Sequence, residues 1–348
     1  MSSRGFALQG ASRRVAQALL AWLCAWIGEV SLAGAQSFVG RAELLALREE
    51  LQREHDYPEG EFDALFAQVR RLDRVIALMD APLRAPTPWH LYWPRHIGGD
   101  RFERGQAFLS RHAEHFARAE ATYGVPRSVI AAIIGVETVF GRITGSTRVI
   151  DALATLAFDY PRRAEFFRGE LKEFLLLARE LGRSPLDFYG SFAGALGWPQ
   201  FMPGSYRRFA VDFDRDGRID LWNSPADIIG SVASFLVAHG WQRGEPVMLP
   251  IHEPPPEVRA LFDGGLTARR PWSEWQRLGV SVRARDAGVR PPHEHDVLGL
   301  IALERADGRL DYWLAFENFY VITRYNRSRL YASAVWSLAY AFERARRP

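Results

Sequence analysis

Apolar side chains recur three or four residues apart through most of this chain, and that spacing commits it to helices that each bury one face. Between residues 41 and 79 the series runs Leu44, Leu47, Leu51, then Phe62, Leu65, Phe66, Val69, Leu72, Val75 and Ile76. The same period predicts helices over 101–123, 126–140, 162–181, 226–239 and 328–346. Three prolines in 81–88 stop the first helices and mark a linker or ordered loop. Over 244–311 the texture changes: Pro254-Pro255-Pro256, Gly264-Gly265, Gly288 and Pro291-Pro292 break it up, while 247–251, 280–282 and 298–303 read as short strands. No repeat of solenoid period is present. The expectation is an α+β fold, mainly α, with a helical region over 36–84 and a core over 85–242. A small β-rich insertion follows over 243–311, and 312–348 completes the core.

The chain has 348 residues, 48% apolar and 24% charged, which is globular composition with room for two or three domains. Its net charge is +3, of which residues 1–35 hold +2, so the remainder carries only +1. That balance argues against a nucleic-acid footprint, and no nucleic-acid partner is expected. Lys172 is the single lysine, and the other 43 of the 44 basic residues are arginine, a compositional bias to which no function is assigned. At the N-terminus Arg4, Arg13 and Arg14 precede an apolar run over 15–28 and the small-residue site Ala33-Gly34-Ala35. Residues 1–35 therefore read as an export signal peptide, with a mature start at Gln36 and a periplasmic destination. The run is shorter than the roughly 20 apolar residues a membrane span needs. Cys24 follows Leu23 rather than a small residue, which disfavours lipoprotein anchoring. With the signal removed no cysteine remains, so there is neither a disulfide framework nor a thiol nucleophile.

Gly124-Val125-Pro126 starts a helix, proline being well placed in a first turn. Ile130, Ile133 and Ile134 precede Glu137 by seven, four and three residues and share its face. Gly141 is expected to end this helix, and Gly135 sits inside it at a cost of about 1 kcal/mol. A carboxyl on an apolar face loses hydration, which raises its pKa toward the range a general acid needs. The alternative for a lone buried glutamate is an ion pair with an arginine. A second stretch, 190–203, combines glycines that let backbone approach a ligand, aromatic rings that suit sugar faces, and the polar groups of Ser191 and Gln200. A Gly/Pro-rich loop packed on the core is its plainer reading. A third cluster is Arg324-Tyr325-Asn326 with Tyr331, which could equally be a polar helix start.

Five motifs in order carry a family resemblance. They are Ile133-Ile134-Gly135-Val136-Glu137-Thr138, Asp151-Ala152-Leu153-Ala154-Thr155-Leu156-Ala157-Phe158, Tyr160-Pro161-Arg162-Arg163-Ala164-Glu165, the 190–203 stretch, and Ile322-Thr323-Arg324-Tyr325-Asn326. Together they resemble the lytic murein transglycosylase B family, glycoside hydrolase family 103, from about Phe38 to the final helix. The resemblance implies a lysozyme-like catalytic core flanked by a helical N-terminal domain and a small β domain. It implies cleavage of the β-1,4 bond between N-acetylmuramic acid and N-acetylglucosamine in peptidoglycan, leaving 1,6-anhydromuramic acid ends. Glu137 falls on the family's sole catalytic acid/base. Ser191, Gln200, Tyr325, Asn326, Tyr331 and Tyr92 fall on substrate positions, and Arg162-Arg163 on a basic pair near the glycan or its peptide. Phe235 stands where the family often has a tyrosine, so the ring is kept and the hydroxyl lost. Association with wall-synthesis proteins is plausible on the resemblance, a monomer is expected, and no organic cofactor is implied.

Asp212-Phe213-Asp214-Arg215-Asp216-Gly217-Arg218-Ile219-Asp220 fits the first nine places of an EF-hand loop, acidic at one, three and five with glycine at six. Place twelve is Asn223 instead of a bidentate glutamate, so by that rule the site is weak or absent, or simply a solvated acidic turn. The resemblance implies a different closure, by a later aspartate at the next helix start, although the loop is one residue longer than the family form. On that basis Asp212, Asp214, Asp216, the Arg218 carbonyl and Asp227 are expected to hold a structural Ca2+ in an EF-hand-like loop over 212–227, with Asp220 available through water. Two functional alternatives stay open beside the transglycosylase: a catalytically silent, calcium-dependent peptidoglycan-binding scaffold, and a lysozyme-type hydrolase using Asp159 or Glu165 as a second carboxylate.

Overall fold

The apolar series near the N-terminus folds as three short helices, α1 (Ala42–His55), α2 (Glu59–Phe66) and α3 (Asp73–Asp80), which turn Leu44, Leu47, Leu51, Phe62, Phe66 and Val75 inward. The computed structural model describes residues 37–81, 87–262, 266–283 and 290–346. The expected signal peptide with Cys24, most of the proline stretch 81–88, and Gly264-Gly265 and Gly288 lie outside them. Helices α4 (Trp89–Ile97), α5 (Arg101–Arg111) and α6 (Ala113–Tyr123) lead into α7 (Arg127–Thr138). Strand β1 (Thr147–Arg148) runs directly into α8 (Val149–Asp159), and a 3-10 turn over Pro161–Arg163 opens α9 (Ala164–Glu180), which packs along α8. Strand β2 (Tyr189–Gly190) pairs back to β1. Helices α10 (Pro203–Phe209) and α11 (Pro225–Ala238) flank the acidic loop.

The β part comprises β3 (Met248–Pro250), α12 (Pro256–Arg259), β4 (Arg269–Pro271), α13 (Trp272–Arg277), β5 (Val297–Glu304) and β6 (Leu310–Ala315). Its four strands form one antiparallel sheet in the order β3-β6-β5-β4. Helices α14 (Glu317–Tyr325) and α15 (Arg329–Arg346) then return the chain to the helical core. The sheet has its own apolar cluster around Trp272, Trp275, Leu298 and Leu314. The N-terminal helices do not: Leu47, Phe62 and Phe66 belong to the same continuous cluster as Ile133, Leu153 and Leu338. Polar contacts seal that join, since Arg41 and Arg71 both pair with Asp159 on α8, and the Leu72 N–H donates to Thr155 Oγ1 at 2.9 Å.

Several expectations are corrected. The helix read over 101–123 is two, parted at His112, whose backbone (φ −114°, ψ 30°) leaves the helical range. Residues 280–282 form no strand, only the bridge of Val282 to Ile251. Strand β6 continues to Ala315, past the boundary read at 311. The helix around Glu137 ends at Thr138, before the glycine expected to stop it.

Candidate active site

Helix α7 is enclosed by α4, α5, α6, α11 and α15. Small residues make that possible: a Cβ on Gly135 would lie 2.9 Å from the Phe140 ring and 3.2 Å from Leu338 Cδ2. The helix-propensity cost of this glycine is thus the condition for close packing. From Ser128 to Val139, Glu137 is the one position that is not fully buried. Tyr331, two residues into the first turn of α15, donates its hydroxyl to Glu137 Oε1 at 2.5 Å. Burial pushes the Glu137 carboxyl up to about 7, and the Tyr331 hydrogen bond acts in the opposite direction. Among the described residues no arginine or lysine forms an ion pair with Glu137, so the arginine-paired alternative does not hold.

The turn that follows is strained. Val139 (φ 54°) and Phe140 (φ 56°) both occupy the left-handed region before Gly141 (φ 80°) does. For non-glycine residues this conformation costs on the order of 1–3 kcal/mol each, and such strain persists only where surrounding contacts over-determine it. Those contacts are visible. The Thr138 hydroxyl donates to the Trp198 carbonyl at 2.9 Å and accepts from the Gly141 N–H at 3.1 Å. A Cβ on Gly141 would meet the Trp198 ring at 2.1 Å. The end of the Glu137 helix is therefore keyed into the 190–203 segment, and the β1–β2 pair holds the same segment from its other side. In the sequence Thr138 stands out only as part of a motif. Its positioning role depends on a contact 60 residues away, which no local pattern reveals.

Ser191 begins that segment. Its Oγ accepts from the N–H groups of Ala193 (3.2 Å) and Ala195 (3.0 Å), which leaves the hydroxyl hydrogen to donate elsewhere. Gln200, with φ 53°, donates from Nε2 to the carbonyls of Thr144 (3.0 Å) and Gly197 (2.9 Å). Its amide hydrogens are spent on clamping the loop, so only Oε1 remains for a ligand. Tyr325 donates to the Pro199 carbonyl at 2.7 Å and stacks on Tyr331 with ring centroids 6.4 Å apart. Phe235 is only 5% exposed and packs against Phe201, Phe209, His239 and Tyr325, so its ring supports Tyr325 from behind. Tyr92 on α4 joins the group: burial first, then the Glu137 charge, pushes its phenol up to about 12. The phenols of Tyr325 and Tyr331 are also raised well above the ordinary tyrosine range, by burial first and then by the same carboxylate. Asn326 is exposed at the end of α14. Arg162 and Arg163 lie exposed on the 3-10 turn before α9, where Arg163 sits over the rings of Phe166 and Phe167; their recorded contacts do not join the Glu137 group.

In the acidic loop, carboxylate oxygens of Asp212, Asp214 and Asp227 lie within 4.8 Å of one another. Arg215 (φ 66°) and Gly217 (φ 89°) give the loop its tight turns. The Asp227 carboxylate, buried at the start of α11, accepts the N–H groups of Phe213 (2.7 Å) and Asp220 (2.9 Å), which fixes it across the loop. Asp216 stands outside this trio and accepts the Arg218 N–H at 2.9 Å. The Asn223 side chain donates to Asp220 Oδ2 at 2.9 Å, so both are engaged with each other. Three convergent carboxylates with no basic partner among the described residues match the hard-oxygen donor set of a divalent cation.

A lone carboxyl raised by burial, held by Tyr331 and joined through Thr138 to a hydroxyl-bearing, aromatic-rich loop in a mainly helical core, fits a lysozyme-like enzyme acting on glycans. The comparisons with known proteins narrow this. The transglycosylase SLT domain family matches residues 40–340. The membrane-bound lytic murein transglycosylase B of Escherichia coli (strain K12) is 40% identical over 307 residues, covering 86% of this chain and 82% of that protein. Soluble lytic transglycosylase SltB1 from Pseudomonas aeruginosa superposes with TM-score 0.80 at 43% identity, over 87% of this chain and 99% of that one. Escherichia coli lytic transglycosylase Slt35, solved in complex with calcium, gives TM-score 0.79 at 39% identity, over 89% and 95% of the two chains. The chain belongs to the SLT-domain lytic transglycosylases, peptidoglycan-cleaving lyases with a lysozyme-like fold. Among the described residues no helix is long and apolar enough to cross a membrane.

Proposed function

We propose that Glu137 alone supplies the acid and base of a two-step cleavage between N-acetylmuramic acid and N-acetylglucosamine. In the first step its protonated carboxyl gives its proton to the glycosidic oxygen as the C1–O bond breaks. In the second, the resulting carboxylate takes the proton from the muramyl C6 hydroxyl, whose oxygen closes on C1 to give the 1,6-anhydro end. Glu137 finishes as it began, protonated, and no water is consumed. The nucleophile belongs to the substrate, so holding the ring in place supplies much of the rate through effective molarity.

The observation that carries this reading is the environment of Glu137, a carboxyl whose pKa is set at about 7 by burial and Tyr331, not by a neighbouring carboxylate. Most glycoside hydrolases pair the acid with a second carboxylate nearby. Asp159 is committed to Arg41 and Arg71, and Glu165 is exposed at the start of α9. The silent-scaffold alternative is not supported either, because it gives no reason to keep a carboxyl desolvated. Tyr331 is the positioning partner of Glu137, and the Ser191 hydroxyl orients the substrate and, with its 2-acetamido group, steadies the oxocarbenium-like state. Tyr92, Tyr325, Gln200 and Asn326 shape the surrounding subsites, Phe235 backs Tyr325, and Arg162-Arg163 serve the glycan or its peptide.

For the acidic loop we infer a structural Ca2+ held by Asp212, Asp214, Asp216, the Arg218 carbonyl and Asp227, with no part in the chemistry. The bound ion would neutralise carboxylates that otherwise repel one another. The convergence of Asp212, Asp214 and Asp227, and the calcium named for Slt35, support this. We further infer export by residues 1–35 to the periplasm, where the enzyme acts as a monomer on glycan strands. Mass analysis of digested sacculi tests the reaction: anhydro ends are expected, while reducing ends or no cleavage overturn it.

A further inference from the structure

A cavity of about 320 Å3 lies where the β part meets the first turns of α4 and α15. Trp89 and Phe262 give it apolar faces, Arg259 and Arg329 two guanidinium groups, Thr87 a hydroxyl, and Glu304 a single carboxylate. Arg259 is anchored by Glu253 at 2.6 Å, and Arg329 donates to the Ala302 carbonyl at 2.7 Å, so both heads are held in place. This is a mixed-charge pocket with two guanidinium groups, one of them shared with Glu253 on its rim, and two flat rings.

Its position gives it meaning. Trp89 lies one helical turn before Tyr92 on α4, their rings stacked with centroids 6.3 Å apart, and the Tyr92 phenol senses the Glu137 charge. Arg329 lies two residues before Tyr331 on α15, the residue that holds Glu137. The first turns of the same two helices thus carry both residues of the cavity and residues beside the catalytic carboxyl. A muramic acid ring at Glu137 carries a short peptide that bears carboxylates and, at its diamino acid, one amine. An extended peptide covers at most about 3.3–3.6 Å per residue, so three or four residues leaving the sugar reach one helical turn away.

We propose that this cavity is a recognition site for the stem peptide of the substrate, with its carboxylates on Arg259 and Arg329, its amine toward Glu304 and its alkyl portions against Trp89 and Phe262. Guanidinium groups suit this because they bind carboxylates through paired, charge-assisted hydrogen bonds. The site is separate from Arg162-Arg163, which lie on the 3-10 turn before α9. The inference rests on the transglycosylase reading.

The test compares two substrates, peptide-bearing glycan strands and the same strands stripped of peptide by an amidase. For Arg259→Ala, kcat/KM on peptide-bearing strands is expected to fall about tenfold, mainly through KM, as for loss of a hydrogen bond to a charged group. On stripped strands it should stay within twofold of wild type. Arg259→Lys should recover part of the loss, and Arg329→Gln should show the same selectivity from the opposite wall. Equal losses on both substrates, or no loss on peptide-bearing strands, overturn the proposal while leaving the enzyme's reaction intact. A wild-type protein that releases anhydro ends from neither substrate overturns the transglycosylase reading, and this proposal with it.

Discussion

Glu137→Gln should make the protein more stable and less active at once, and the gain in stability should depend on pH. The native state raises the Glu137 pKa from 4.5 to about 7, so the folded protein binds this proton more tightly than the unfolded chain does. The contribution is therefore fully present below pH 4.5 and is lost as pH rises through about 7. A shift of that size corresponds to about 3 kcal/mol of cost for carrying the ionised carboxylate in the folded state. Glutamine has the same shape, keeps an oxygen for the Tyr331 hydroxyl and never ionises. Near pH 4 the variant and wild type should melt together; above pH 8 the variant should be more stable by about 3 kcal/mol, on the order of 5 °C in Tm. Melting both proteins by calorimetry across pH 4 to 9 and taking the difference cancels every other titrating group. In the same range wild-type kcat/KM should fall as pH rises through about 7, because the free enzyme must hold the proton it donates. A Tm difference that is flat with pH, or grows toward acid, would refute the claim that burial raises this carboxyl.

Ser191→Ala should lower the rate of anhydromuropeptide release without abolishing it, and a loss as large as that of Glu137→Gln would show that its role is more than orientation. Calcium at a hundredfold over its Kd should add about 2.7 kcal/mol to stability, so chelation should lower the Tm. Asp227→Ala should erase that response while Asn223→Ala keeps it; the reverse pattern, read by calcium titration of Tm, would place the loop in the ordinary EF-hand register. Thr138→Val leaves the part-buried Trp198 carbonyl without its donor and should cost about 1 kcal/mol by chemical denaturation. It should also lower kcat on peptidoglycan by loosening the join between the Glu137 helix and the Ser191 loop, and unchanged kcat would count against that join.

What the sequence made legible follows from periodicity. Helices with one apolar face, such as α1, α9 and α15, were readable because burial on one side imprints a spacing. Helix α8 was not, since all but its last two residues are buried, Asp151 and Thr155 included, and a helix buried all round shows no one-sided period. Helix α4 holds Pro94 in its interior, which argues against a helix when only local rules are used. Strand β4, Arg269–Pro271, has no strand signature and exists because β5 offers it a pairing edge. Glu137 was legible as a carboxyl among isoleucines, but its hold by Tyr331 spans 194 residues. The strained turn at Val139 and Phe140 was invisible because a valine and a phenylalanine give no hint of positive φ. The acidic loop was legible up to Asp220; its closure across the loop by Asp227 depends on how the Ser224 cap sets the first turn of α11, a matter of three-dimensional register.

The central claim is that the nucleophile comes from the substrate, with Glu137 as the only proton carrier. Digesting sacculi in oxygen-18-labelled water and weighing the released muropeptides tests it directly. The account predicts 1,6-anhydro ends that carry no label, and no such products from Glu137→Gln. Reducing ends carrying labelled oxygen at C1 would mean that water attacks instead, and would contradict it.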